Sequence, residues 1–207
     1  MRGGAVTKRV GALAALVLAC GGVTPPPEVP KKCPPQTVTV SLLASPAVNP
    51  TPNGAPRPVV VRIYQLKNDS RLYNASFDKV WHDDKTALGE DIAKVDEVEL
   101  YPGSRLDLKF ERTEPVQHLA AVALFQEPKG RSWFSSFDLP PPPEAGKCDA
   151  QACAADDEEE DCATRAAGTG HYSFWLDGSK VDDGVEHLEE FQKVGAMTSP
   201  APKKRGP

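Results

Sequence analysis

Short runs of alternating apolar and polar residues recur along this chain, and they restrict it to a fold of packed β-sheets. Val38, Val40 and Leu42 alternate with Thr37, Thr39 and Ser41. Leu106, Leu108 and Phe110 alternate with Arg105, Asp107 and Lys109, and Tyr172, Phe174 and Leu176 with Ser173, Trp175 and Asp177. A period of two puts one set of side chains on a buried face and the other toward water. Residues 59–66 and 119–125 are apolar on both faces, as in strands covered from two sides. Weaker signals at 97–100 and at Trp133, Phe137 and Leu139 add further strands, and Pro102-Gly103 and Asp177-Gly178 mark turns, the second leading into Lys180-Val181. One segment changes period: Tyr73, Phe77, Val80 and Trp81 form a helical stripe, with Asp78, Lys79 and His82 on its other side. The pattern predicts an all-β fold over residues 37–181, an antiparallel β-sandwich of seven or eight strands with a small helical insertion. Val185, Leu188, Phe191 and Val194 predict a weak helix stopped by Gly195, inside a flexible tail over 182–207.

The chain begins with a different kind of signal. Arg2, Lys8 and Arg9 precede an uncharged run, 10–19, that ends at Cys20-Gly21-Gly22. Basic start, apolar run and small residues at the cut are the layout of a secretory signal, here 1–19. The run is too short for a bilayer core that needs about 20 apolar residues. A cysteine at the first mature position resembles a bacterial lipobox, in which that thiol takes a diacylglyceryl group. Cys20 is therefore the expected lipidation site, and the anchor is an acyl chain in the membrane. Residues 20–36, with six prolines, predict an extended tether.

Without residues 1–19 the chain carries 21 Lys+Arg against 29 Asp+Glu, a formal charge of −8. That balance excludes nucleic acid as a partner, which selects a basic face. Seven of those net negative charges lie in 144–161, within a Pro-, acid- and Cys-rich segment at 140–170 that predicts a disordered insertion. Cys33, Cys148, Cys153 and Cys162 remain once Cys20 is lipidated. Outside the cytoplasm an even number favours disulfides, with three possible pairings. Their spacing lacks the CxxC and histidine pattern of a zinc site, so neither a metal nor another cofactor is expected.

No catalytic motif appears among the glycine-, serine- and histidine-centred patterns. His82, beside Asp83 and Asp84, reads as a solvated cluster at a helix end, and His118 begins a strand. No catalytic residue is assigned. What remains is binding. Residues 45–58 join two strands and hold five prolines and an Asn53-Gly54 pair. A loop that long is often functional, and its stiffness lowers the entropy lost on docking.

At this loop the chain resembles a known family. The stretch from Asn49-Pro50-Thr51-Pro52-Asn53-Gly54-Ala55-Pro56-Arg57-Pro58 through Val59-Val60-Val61-Arg62-Ile63-Tyr64-Gln65-Leu66-Lys67 is similar to the signature of the type VI secretion lipoproteins called TssJ, SciN or VasD. The segment Phe77-Asp78-Lys79-Val80-Trp81-His82-Asp83-Asp84-Lys85 with Ala87-Leu88-Gly89 resembles the family's helical part. Glu99-Leu100-Tyr101-Pro102-Gly103 resembles its turn, and Ala121-Val122-Ala123-Leu124-Phe125 with Trp133 its buried strand. The resemblance covers about 37–139 and 171–181. It implies a transthyretin-like sandwich on the periplasmic face of the outer membrane, and a loop that binds the periplasmic end of the inner-membrane subunit TssM. On that reading Asn49, Pro50, Asn53, Gly54, Pro56 and Arg57 are the partner-binding residues. Gly21 is not the aspartate that would retain a lipoprotein at the inner membrane. The segment 140–170 and the long tail depart from the family pattern. An alternative reading of the same features is a periplasmic β-sandwich carrier or chaperone-like lipoprotein of another secretion system.

Overall fold

Strand β1 (Thr37–Ala44) opens the first of two facing sheets, and β2 (Val59–Leu66) opens the second. The computed structural model describes residues 35–141, 170–197 and 203–204. After β2 come two short helices, α1 (Ser70–Asn74) and α2 (Phe77–Leu88), then β3 (Ile92–Leu100), β4 (Arg105–Glu111), β5 (His118–Ala123) and β6 (Phe134–Asp138). Strands β7 (His171–Asp177) and β8 (Lys180–Asp182), helix α3 (Leu188–Lys193) and the two-residue strands β9 (Ala196–Met197) and β10 (Lys203–Lys204) complete the described chain. One sheet runs β8-β7-β1-β4-β9 and the other β10-β3-β2-β5-β6.

Alternation decides the packing of β1: Val38, Val40, Leu42 and Ala44 are buried toward the opposite sheet, where Val59, Val61 and Ile63 of β2 meet them in one core. The β1–β4 and β2–β5 pairs are antiparallel, but β1 and β7 are parallel, from Thr39 opposite His171 to Ala44 opposite Leu176. The antiparallel expectation is corrected there. Parallel neighbours cannot be joined by a tight hairpin, and β1 and β7 are separated in sequence by all of β2 to β6.

Strand β2 is buried on both faces because α1 and α2 cover its outer side. Arg62 and Tyr64, which point that way, are 6 % and 0 % exposed. Arg62 Nη1 donates to the carbonyls of Val80 (2.9 Å) and Trp81 (3.2 Å), and its Nε donates to Glu97 Oε2 at 3.0 Å. Asp84 Oδ2 lies 3.6 Å from Arg62 Nη1 and accepts from Tyr64 Oη at 2.7 Å. Burial opposes the charge on Arg62, yet the bond to Glu97 and the pull of its acidic neighbours raise its pKa above the ordinary value. Burial, reinforced by Asp84, pushes the Tyr64 phenol up.

The helical stripe divides differently from the sequence expectation. Tyr73 belongs to α1 and is 47 % exposed, its ring edge-on to Phe134 at 5.1 Å, while Phe77, Val80 and Trp81 lie on α2. The helix is broken at Asp83 (φ −151°, ψ 71°), whose Oδ1 accepts from Thr86 N–H at 3.1 Å and restarts the next turn. Asp84 falls four residues after buried Val80 and four before buried Leu88, on the inward stripe. The expected solvated cluster is corrected: His82 and Asp83 are exposed, but Asp84 is buried beneath the helix. Near the end of the chain, of the residues expected to line the last helix, Phe191 is buried, whereas Val185 and Leu188 are exposed.

Candidate functional site

Residues 45–58 leave β1 at one end of the sandwich, where the 101–104 turn and the 178–179 turn also lie. Ser45 N–H donates to Leu176 O at 2.8 Å, and Ser45 O accepts from Gly103 N–H at 3.2 Å, so the loop root is tied to both neighbours. Val48 is then fully buried. Asn49 follows with φ 48°, a left-handed conformation that asparagine tolerates better than most residues. Its backbone N–H and both polar atoms of its side chain are used. Its N–H donates to Gly178 O (2.7 Å), its Nδ2 to Pro58 O (2.8 Å), and its Oδ1 accepts from Gln126 N–H (2.9 Å). One side chain thus fastens the outgoing arm to the returning arm and to the β5–β6 connection. Arg57 N–H closes the arms again on Val48 O at 3.2 Å.

The tip is a separate small turn. Thr51 N–H donates to Ala55 O (2.9 Å), Gly54 N–H to Thr51 O (2.8 Å) and Ala55 N–H to Thr51 Oγ1 (3.1 Å). Gly54 has φ 81° with open space where a Cβ would stand, so it is required for backbone conformation and not for clearance. Residues 52–58 are all exposed. Of the six residues read as partner-binding, Asn53, Gly54, Pro56 and Arg57 therefore stand in solvent and Pro50 is half-buried. Asn49, 4 % exposed, is a positioning residue and not a contact surface. Beside the loop, Tyr101 on the 101–104 turn is 47 % exposed, an aromatic that the sequence reading took only as part of a turn.

The opposite end of the sandwich holds the points where the chain enters and leaves. Arg112 is 9 % exposed. Its Nε donates to Val116 O at 2.9 Å, and its Nη1 to Gln36 Oε1 at 2.9 Å and Pro140 O at 2.6 Å. It pins the residue before β1 to the residue after Leu139. Thr39 N–H donates to Gly170 O at 2.9 Å, which brings the segment entering β7 to the same end. Cys20, Cys33, Cys148, Cys153 and Cys162 lie outside the described residues, as do the signal segment, nearly all of the tether and nearly all of 140–170. Among the described residues no helix is long and apolar enough to cross a membrane.

A serine–histidine–aspartate cluster that the sequence did not announce sits on the outer face of the first sheet. Ser41 Oγ lies 2.6 Å from Asp107 Oδ1 and 2.7 Å from His171 Nε2. Arg105 grips the same carboxylate in a fork, Nε to Oδ1 at 3.0 Å and Nη2 to Oδ2 at 2.9 Å. Burial opposes the charge on Asp107, but the bonds from Ser41 and Arg105 hold its pKa below the ordinary value. In a nucleophilic relay the carboxylate orients the imidazole; here it receives the serine hydroxyl directly, and Ser41 is fully buried. The cluster fastens β1 to β4 and β7. His82 lines an open groove of about 560 Å³ between α1 and α2, together with Arg71, Asn74, Asp78 and Lys79. That groove is on the surface, whereas the space between the sheets, where a carrier would hold a ligand, is filled by the buried core.

A family model described as type VI secretion lipoprotein (VasD, EvfM, TssJ) matches residues 36–153. No curated protein sequence matches the chain. Among solved structures the chain is similar to the type VI secretion lipoprotein TssJ1 from Pseudomonas aeruginosa, with 23% identity and a TM-score of 0.53, over 72% of this chain and 95% of that one. It is similar to Serratia marcescens Lip, a membrane-bound component of the type VI secretion system, with 20% identity and a TM-score of 0.57, over 72% and 96% of the two chains. A structure described as the TssM C-terminal domain from EAEC also matches, with 19% identity and a TM-score of 0.51, over 71% and 96%. At these identities the structural likeness establishes the β-sandwich fold.

Proposed function

The chain belongs to the type VI secretion lipoprotein family (VasD, EvfM, TssJ), and from that premise we propose that it is a non-catalytic outer-membrane lipoprotein that holds the periplasmic end of a TssM-like inner-membrane subunit. One observation carries this reading: the 45–58 loop is held rigid at its root by Asn49 and Ser45 while residues 52–58 are all offered to solvent. A loop ordered before binding gives up little entropy when it docks. The loop leaves from the end of the sandwich opposite Gln36, so a lipid on Cys20 and a partner on the loop act from opposite ends. The choice of partner rests on the family membership and on the Asn49–Lys67 stretch that resembles the family signature.

Exchanging residues 52–57 for a Gly/Ser sequence of equal length leaves Asn49 and the root intact. Affinity for the periplasmic domain of the TssM-like subunit, measured by calorimetry, is expected to fall by about 30-fold or more, the loss of a hot-spot cluster. Unchanged affinity would remove the loop from the interface. Replacing Cys20→Ser is expected to release the protein from the membrane fraction with its thermal midpoint unchanged. Retention in that fraction would show that something other than a lipid holds it.

A further inference from the structure

Three side chains distant in sequence converge where α1 meets the edge of the second sheet. His118 opens β5 and stands in register with Asp138 at the end of β6, and Asp69 precedes α1. His118 Nδ1 lies 2.8 Å from Asp138 Oδ1 and 3.5 Å from Asp69 Oδ2, and one candidate ligand atom from each residue falls within 4.8 Å of the other two. Asp69 occupies the N-cap position of α1, where an aspartate ordinarily accepts from the first-turn amides. Its carboxylate makes no such bond. It accepts from Ser136 Oγ at 3.0 Å and faces the imidazole instead. A single Nδ1–H can serve one acceptor at normal length; the Asp69 oxygen is beyond that range. Two anionic oxygens therefore face one ring nitrogen that can satisfy only one of them.

The geometry points to a divalent-cation site whose protein ligands are His118 Nδ1 and one carboxylate oxygen each from Asp69 and Asp138. Metal–ligand bonds of about 2.0–2.2 Å place neighbouring ligand atoms about 2.8–3.6 Å apart in tetrahedral or octahedral shells. The two separations from His118 Nδ1 fall in that window. One imidazole with two carboxylates and no thiolate is a donor set suited to Zn²⁺, with water in the open positions. The Asp69 and His118 side chains are 18% and 17% exposed and Asp138 89%, so the site is walled on one side and open to solvent on the other. Such an ion would clamp α1 to the β5–β6 edge, and because the three ligands meet only in the folded chain it would stabilise that state.

The test uses the full-length protein in detergent, stripped of metal, titrated with Zn²⁺ by calorimetry and with Co²⁺ by visible absorption. One equivalent should bind, the Co²⁺ spectrum should show ligand-field bands of nitrogen and oxygen donors, and Zn²⁺ should raise the thermal midpoint. Asp69→Asn and His118→Gln should each weaken Zn²⁺ binding by at least about tenfold. Absence of saturable binding would leave an imidazole–carboxylate ion pair only and overturn the site. A thiolate charge-transfer band would assign the ion to the cysteines, and wild-type affinity in both variants would overturn the site as well. Should either variant fail to fold, the wild-type Co²⁺ spectrum still decides between these donor sets.

Discussion

Arg62→Met is expected to lower the stability of the fold by about 3–5 kcal/mol, read as a fall in the urea midpoint. Arg62 is the cation on which the α2–sheet contact is built. It supplies hydrogen bonds to the Val80 and Trp81 carbonyls, pairs with Glu97 and lies beside Asp84. Methionine fills similar space but leaves one buried and one part-buried carbonyl without that donor and Asp84 without the Arg62 charge beside it. The cost comes from the partners left behind, so a double variant, Arg62→Met with Asp84→Leu, should be less damaged than the sum of the two single changes. A loss below about 1 kcal/mol for the single variant would place this network in the class of surface pairs that contribute little.

Asn49→Ala is expected to cost about 2–6 kcal/mol and to weaken partner binding with it. Alanine in a left-handed conformation carries about 1–3 kcal/mol of strain, and two hydrogen bonds worth about 0.5–1.5 kcal/mol each are lost with the amide. Asn49→Gly removes the same two bonds without the strain, so its thermal midpoint should lie above that of the alanine variant. If alanine leaves both midpoint and affinity at wild-type values, the root does not order the tip, and loop rigidity is not what the partner uses.

Strands β1, β4 and β7 were legible because each has one face in the core and one toward solvent or a thin cover, which writes a period of two into the sequence. The loop at 45–58 was legible through its prolines. Its division of labour was not: Asn49 and Asn53 look alike in sequence, and only the meeting of Gly178, Pro58 and Gln126 around Asn49 makes one a root and the other a tip. Asp84 was hidden for a related reason. It stands four residues after buried Val80 and four before buried Leu88, on the inward stripe of α2, but a carboxylate next to His82 and Asp83 reads as solvated until Arg62 and Tyr64 are seen beside it. The strands β9 and β10 are two residues long, too short for any periodicity. Asp69, His118 and Asp138 are neighbours only by sheet register and the start of α1, which adjacent sequence does not record.

The placement of β1 has a mechanical consequence for the proposed bridge. Its first residue, Thr37, follows directly on the segment that Arg112 pins, and its last, Ala44, runs straight into the loop root. Tension between a membrane anchor and a partner on the loop would run along this one strand, about 25 Å end to end. Strand β1 is zipped on both sides, to β4 and to β7. Its hydrogen bonds lie largely across the direction of pull. Such a load shears many bonds at once instead of peeling them singly, so the strand that joins tether to loop resists lengthwise removal along both of its ladders.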